Sequence, residues 1–289
     1  MKRCARGHLY QAVGWQCPNC GEHPAQLDGF VSFAPADARA SDGFAEEYFA
    51  HLARFESGHF WFESRNRLLI WALHRYFPQA AEFLEIGCGT GFVLSALRRS
   101  FPGIRLSGSE MFVEALRFAA TRAPDLALFQ MDARRIPFES EFDVIGAFDV
   151  LEHIEEDEAV LGQMRAALRP GGGILVTVPQ HPFLWSAVDD YSFHKRRYRR
   201  RELIHKVRAA GFKVLHVTSF VTVLLPLMLA SRLRRRTRPV DFDPYAEFKV
   251  APALNQMLTW ALDLERFLIR TTLSLPVGGS LLLIAQRDS

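Results

Sequence analysis

Phe83-Leu84-Glu85-Ile86-Gly87-Cys88-Gly89-Thr90-Gly91 decides how the rest of the chain reads. A short apolar run carrying one acid enters three glycines separated by single residues. That pattern is a buried strand, 82–86, ending in a turn where glycine lets the backbone bend tightly and approach a ligand closely. Glu85 stands two residues before the first glycine, and Glu110 follows the next apolar run, nineteen residues past Gly91. An acid at that place suits the two hydroxyls of a ribose, because a carboxylate accepts two hydrogen bonds at once. A phosphate loop would need Gly-Lys-Ser/Thr after its glycines, which this loop lacks. A dinucleotide loop wants a small residue where Phe92 stands. S-adenosylmethionine carries a sulfonium, an amino group and no phosphate, so it suits the extra acid best.

Outward from the loop, strand and helix patterns alternate. Residues 104–109, 126–131, 142–148, 174–178, 213–218 and 280–286 read as further strands, with helices at 93–99, 112–122, 157–168 and 201–210 between them. Such alternation predicts an open α/β sheet, doubly wound, with helices on both faces. A loop-like stretch, 34–43, precedes a pattern that turns helical from Phe44. Phe60, Trp61, Phe62, Leu68, Leu69, Ala72 and Leu73 then recur at helical spacing until Pro78 closes the run. About sixty residues between the last two strands break the rhythm. They hold an apolar stretch, 221–230, a basic run and a helical pattern at 254–271, and insertions of this kind shape substrate sites or lids.

The acid–glycine loop resembles that of the class I S-adenosylmethionine-dependent methyltransferases, and the likeness continues in order. Gln130-Met131-Asp132-Ala133 resembles the family's third loop, and Phe148-Asp149-Val150-Leu151-Glu152-His153-Ile154 its post-strand-four loop. Leu168-Arg169-Pro170-Gly171-Gly172-Gly173 resembles the turn before strand five. The resemblance implies a Rossmann-like seven-stranded sheet of order 3-2-1-4-5-7-6 with the last strand antiparallel. It implies that Glu85, Gly87 and Gly89 line the methionine end of the cofactor, with Cys88, a small turn residue, and Gly91 in the same cofactor-binding loop, and that Glu110 holds the ribose. Met111 would cover one adenine face, Asp132 and the backbone of Ala133 would read the adenine edge, and Phe148 and Asp149 would lie beside the cofactor. Phe60-Trp61-Phe62-Glu63-Ser64-Arg65-Asn66 resembles a cap in related enzymes, with Arg65 expected on the cofactor carboxylate.

Methyl transfer needs a base only if the acceptor must lose a proton. His153, His181 and His194 are the candidates. Asp149-x-x-Glu152-His153 also resembles an acidic-His cluster that holds Mg²⁺ in a few quinone-type and RNA-end methyltransferases, although many metal-free members share it.

At the front of the chain, Cys4-x3-His8 and Cys17-x2-Cys20 supply a Cys3His set from two short knuckles, which predicts a structural zinc. The segment resembles the zinc ribbon of certain ribosomal RNA guanine methyltransferases with the knuckle order reversed. The expected organisation is a ribbon-like segment at 1–33, a linker and cap helices at 34–78, a methyltransferase domain at 79–219 with 276–289, and a helical insertion at 220–275.

The 289 residues are 49% hydrophobic and 23% charged with net charge +3, which excludes a disordered chain and gives no general call for a polyanion. Charge does cluster: residues 195–201 hold six basic side chains and residues 232–238 hold five. No stretch resembles a transmembrane span or a secretory leader, and a cytoplasmic protein is the expectation, with peripheral membrane contact open. For the acceptor, the apolar insertion favours a small or lipid-like molecule. An RNA base, suggested by the ribbon and basic runs, and a cofactor-binding adaptor without turnover are the alternatives.

Overall fold

Three strands, β5 (Glu82–Ile86), β6 (Arg105–Glu110) and β8 (Phe142–Phe148), form the middle of the sheet, with β5 between the other two and parallel to both. Their side chains are almost wholly buried on both faces, as parallel strands covered by helices must be. The computed structural model describes residues 1–38, 46–234, 249–271 and 273–288. Residues 34–38 of the loop expected at 34–43 are described and non-helical, whereas 39–43, the helix start at Phe44 and residues 235–238 of the basic run lie outside these residues.

Among the described residues the main sheet has nine strands rather than seven. Its core comprises β7 (Ala127–Gln130), β6, β5, β8, β9 (Leu168–Pro179), β11 (Ser280–Arg287) and β10 (Phe212–Phe220) in that spatial order. That is the expected 3-2-1-4-5-7-6 arrangement, and β11 is antiparallel to both of its neighbours. The two additional strands are a hairpin, β3 (Ala25–Leu27) and β4 (Phe30–Ser32), laid along β7. The edge of β7 would otherwise present unpaired N–H and C=O groups, and β4 covers it in parallel register, Val31 opposite Phe129. A separate ladder pairs β1 (Lys2–Arg3) with β2 (Leu9–Tyr10). The ribbon-like front is therefore stitched into the sheet. Trp15 packs edge-on against Phe33, Phe129 and Phe138 with ring centroids 5.1, 5.3 and 6.0 Å away, and Lys2 lies over its face.

The Arg-Pro-Gly-Gly-Gly segment, expected as a turn, lies inside β9. Its register against β8 jumps from Phe142–Leu168 to Val144–Gly173, so the extra residues form a bulge rather than a break. Helices α3 (Phe92–Ser100), α4 (Val113–Arg122), α5 (Asp157–Ala167) and α7 (Arg200–Ala209) follow the pattern read from sequence. Before them come α1 (Glu46–Phe55) and α2 (Phe60–Tyr76), and a short α6 (Ala187–Tyr191) follows β9. Between β10 and β11 stand α8 (Leu225–Arg234) and α9 (Pro252–Arg270), the latter packed along α2.

Candidate functional site

The site starts at the carboxyl end of β5. Gly87 adopts φ +64°, and a Cβ there would lie 2.5 Å from a methyl of Val150. Gly91, at φ +74°, sits so close to α4 that a Cβ would meet the Ala119 backbone at 2.9 Å. The loop between them is held from the next strand: Glu110 accepts the N–H of Gly89 at 3.0 Å and that of Met111 at 2.7 Å. Phe92, the large residue after the loop, packs on Phe62 of the cap, with Arg122 over its face.

Glu85 is 2% exposed, and its Oε2 has no hydrogen-bond partner. Burial pushes its carboxyl well above the usual range, with Arg65 opposing. Burial also raises Glu110, against the pull of three backbone N–H groups. Asp132 behaves oppositely. Burial would raise it, but hydrogen bonds from Arg134 and Arg135 hold it below the ordinary value. Buried Gln130 donates to the Met111 carbonyl at 2.9 Å and accepts from Ser32 and Ala34, linking the added hairpin to this loop.

The start of α2 forms the cap. Arg65 is ion-paired with Asp149, which holds φ +56°, and lies over the Trp61 ring at 4.6 Å. Below it, Glu56 accepts from Thr90 at 2.6 Å and from Arg122 at 2.7 Å, clamping the end of α1 to the glycine loop.

Two of the three candidate histidines meet. The rings of His153 and His194 lie 4.7 Å apart, edge to face. Burial, reinforced by His194, lowers the His153 pKa to about 3, so its ring is neutral at physiological pH. His194 Nδ1 lies 2.9 Å from Oδ1 of Asp189, a fully buried carboxylate that also takes two hydrogen bonds from Arg197 at 2.6 and 3.0 Å. Burial would raise Asp189, but His194 and Arg197 hold it far below the ordinary carboxylate range. Glu152, 1% exposed with neither oxygen partnered, joins His153 and His194 in a group whose ligand atoms all lie within 4.8 Å of one another. His181 is elsewhere, stacked on Phe183 at 4.8 Å and outside the cavity lining.

These groups surround one cavity of about 820 Å³. Of the expected cofactor residues, Arg65, Glu85, Gly87, Cys88, Gly89, Glu110, Met111, Asp132, Ala133, Phe148 and Asp149 all line it; Gly91 does not, being turned to α4. Val221, Leu224 and Met228, before and within α8, line the cavity as well. Tyr48, Glu56, Asp189 and Arg197 also contribute and were not singled out from sequence. Only a run of acids and bases marks Asp189, and nothing in that run shows which pair will be buried together.

Apart from this cavity, Cys4, His8, Cys17 and Cys20 converge at the front. Cys4 Sγ lies 3.5 Å from His8 Nδ1 and 3.8 Å from Cys20 Sγ, and Cys17 Sγ 3.9 Å from His8 Nδ1. A tetrahedral zinc with bonds of about 2.3 Å sets sulfurs about 3.8 Å apart, so the donors fit that ion. Each knuckle closes with a glycine at positive φ whose N–H returns to the first cysteine carbonyl, Gly7 to Cys4 and Gly21 to Cys17, both at 2.8 Å.

Three of the six basic residues in 195–201 are engaged within the protein, while Lys195, Arg199 and Arg201 are exposed. Arg196 pairs with Glu155 and Asp157, Arg197 with Asp189, and Arg200 donates to carbonyls on β10 and beyond α9. Tyr198, fully buried, donates to Asp157 at 2.6 Å. Half of the run's charge is thereby drawn inward, away from the open phosphate-binding face that an RNA acceptor would favour.

A parallel sheet of this order, with a glycine loop after its first core strand, an acid after its second and a cavity beyond the strand ends, defines the class I S-adenosylmethionine-dependent methyltransferase fold. A family model described as a methyltransferase domain matches residues 49–217, more than half of the chain, and the chain belongs to that family. It is 28% identical over 102 residues to trans-aconitate 2-methyltransferase of Azoarcus sp., covering 35% of this chain and 40% of that protein. It is 27% identical over 145 residues to malonyl-acyl-carrier-protein O-methyltransferase of Methylococcus capsulatus, covering 47% and 53%. The chain thus spans about half the length of the curated relatives it matches. Among solved structures, phosphoethanolamine N-methyltransferase 2 of Haemonchus contortus, in complex with S-adenosyl-L-methionine, superposes with TM-score 0.57 at 18% identity over 90% of this chain and 61% of that one. The (4+2)-cyclase SpnF superposes at 0.53 with 21% identity over 79% and 83%. Similarity at this level shows the fold alone, and a cyclase on the same fold underlines that the site must carry the functional argument.

Proposed function

We propose that this chain transfers the methyl group of S-adenosylmethionine to a small, partly apolar acceptor by in-line displacement. The carrying observation is the two-sided cavity: Glu85, Glu110 and Asp132 around the glycine loop, and Val221, Leu224 and Met228 on the insertion side. Glu85, buried with an unpartnered oxygen, fits the cationic end of the cofactor. Gly87 and Gly89 leave room for its backbone approach, Glu110 takes the ribose hydroxyls, and Met111, Asp132 and Ala133 hold the adenine. Arg65 exchanges its Asp149 pairing for the cofactor carboxylate. The cofactor, when bound, supplies an already activated methyl sulfonium, so the protein's work is alignment and exclusion of water. Trp61 and Phe62 of the cap, with Val221, Leu224 and Met228 of the insertion, supply the apolar wall that keeps water from the methyl group.

His194 is the better placed base, because Asp189 accepts its Nδ1–H and leaves Nε2 to take an acceptor proton. His153 is too weakly basic to be protonated near neutral pH. A second reading has a specific observation behind it: unpartnered Glu152, with His153 and His194, is spaced for a divalent cation that would orient a hydroxylated acceptor. Calorimetric titration with Mg²⁺ or Mn²⁺, compared between wild type and Glu152→Gln, separates the two. We further propose one structural zinc on Cys4, His8, Cys17 and Cys20, with all four positions filled by protein.

The deciding experiment incubates the protein with labelled S-adenosylmethionine and either small-molecule and lipid extracts or total RNA. Label in the first supports the reading, and label confined to RNA overturns the acceptor. Cofactor binding without transfer to any fraction would leave the adaptor alternative.

A further inference from the structure

Helix α9 inverts the pattern of an ordinary surface helix. Met257, Trp260, Leu264 and Phe267 recur at three- and four-residue spacing on one face, yet they are 60%, 64%, 61% and 62% exposed. Leu254 and Leu268 flank them, also exposed. A helix on a globular surface turns charged and polar side chains to water. Here one acid is turned inward and the other, at the edge of the stripe, is neutralised by arginines. Glu265 is buried and accepts the N–H groups of Val221, Thr222 and Val223 at 2.6–2.9 Å, and Asp263 pairs with Arg67 and Arg266. An apolar surface of this continuity marks an interaction site.

Charge selects the occupant. The stripe carries no acid, Arg270 is exposed at its carboxyl end, and the sequence has five arginines in residues 232–238, a run that starts within α8 and ends ahead of α9. Anionic headgroups would attract these positive charges, whereas neutral headgroups would not. Trp260 and Phe267 supply aromatic rings of the kind favoured at a lipid–water boundary. The same insertion reaches the cavity, since Leu224 and Met228 line it while Leu227 and Leu229 of α8 are exposed. Among the described residues no helix is long and apolar enough to cross a membrane, so the face lies on a bilayer instead of spanning it.

We infer that α9 docks, apolar face down, on an anionic lipid surface. The inference stands apart from methyl transfer, because docking is read without turnover. The full chain is sedimented with phosphatidylcholine vesicles and with vesicles containing phosphatidylglycerol. Partitioning at least about tenfold stronger onto the anionic vesicles, weakened by salt, is expected. Trp260→Glu with Phe267→Glu lowers it by at least about tenfold, while Trp260→Phe retains it. Circular dichroism and S-adenosylhomocysteine binding, unchanged in both variants, confirm the fold. Equal binding to neutral vesicles, no binding to either, or undiminished binding by the double variant overturns the inference. So does a wild-type dimer that the double variant makes monomeric, which assigns the face to a second copy.

Discussion

Replacing Asp189 by alanine tests the electrostatic frame of the site most sharply. Its carboxylate is fully buried, receives both Arg197 nitrogens at 2.6 and 3.0 Å and holds His194 at 2.9 Å. Arg197 is itself buried, so removing the acid strands a guanidinium in a poorly solvated place. Breaking a buried pair by removing one partner costs about 3–5 kcal/mol. In a chain of this size that corresponds to roughly 6–10 °C in melting temperature. Substituting both residues, Asp189→Leu with Arg197→Met, strands neither charge, and the double variant should lose less than the sum of the single losses by about 1–3 kcal/mol. The assay is urea unfolding of wild type, Asp189→Ala, and the closed cycle of Asp189→Leu, Arg197→Met and their double variant. The pH dependence has a definite sign. The folded-state pKa of Asp189 is depressed, so its contribution is present above the unfolded carboxylate value of about 3.9 and is lost as pH falls through and below it. A loss under about 1 kcal/mol in Asp189→Ala, or strictly additive variants, would refute the reasoning.

Three further outcomes are expected. Glu110→Gln weakens S-adenosylhomocysteine binding at least about tenfold by calorimetry, since a hydrogen bond to a charged group contributes about 1.5–3 kcal/mol. Because burial raises the Glu110 and Glu85 carboxyls, wild-type affinity also falls on acidification while the pH is still above their ordinary range, and Glu110→Gln flattens part of that fall. Gly87→Ala, with its Cβ 2.5 Å from Val150 and a left-handed backbone, loses about 1–3 kcal/mol of stability, and Val150→Ala partly restores it. Protein purified without added zinc carries one zinc per chain by elemental analysis. Cys17→Ser lowers that content and increases amide exchange along β4 and β7, the strands that the front segment covers.

The succession of strands, the glycine loop and the positions of Glu85 and Glu110 were legible in local pattern, whereas the spatial order of the core strands and the place of Asp132 followed from the resemblance to class I methyltransferases. Buried strands are short apolar runs, tight turns need glycine, and the acids sit at constant offsets from both. The Cys3His cluster was legible for the same reason, as four donors in two short knuckles. Nothing local revealed the hairpin added beside β7, since which strand covers an edge depends on docking between segments about a hundred residues apart. Nor did spacing distinguish the histidines. His153 and His194 are forty-one residues apart in sequence, yet their rings meet in the fold, while His181 points elsewhere. Basic clusters read alike until packing assigns them. Arg196 and Arg197 of the run 195–201 became internal ion pairs because the fold brings Asp157 and Asp189 to neutralise them, while Lys195, Arg199 and Arg201 stayed exposed. The exposed stripe of α9 is the counterpart: the sequence pattern identified a helix at 254–271 within a candidate lid, but only its packing against α2 decided that much of its apolar side faces outward. Sequence determines what one strand, turn or knuckle can do, because those energies are short-ranged. Burial and charge pairing sum over distant parts of the chain, and the tertiary structure settles them.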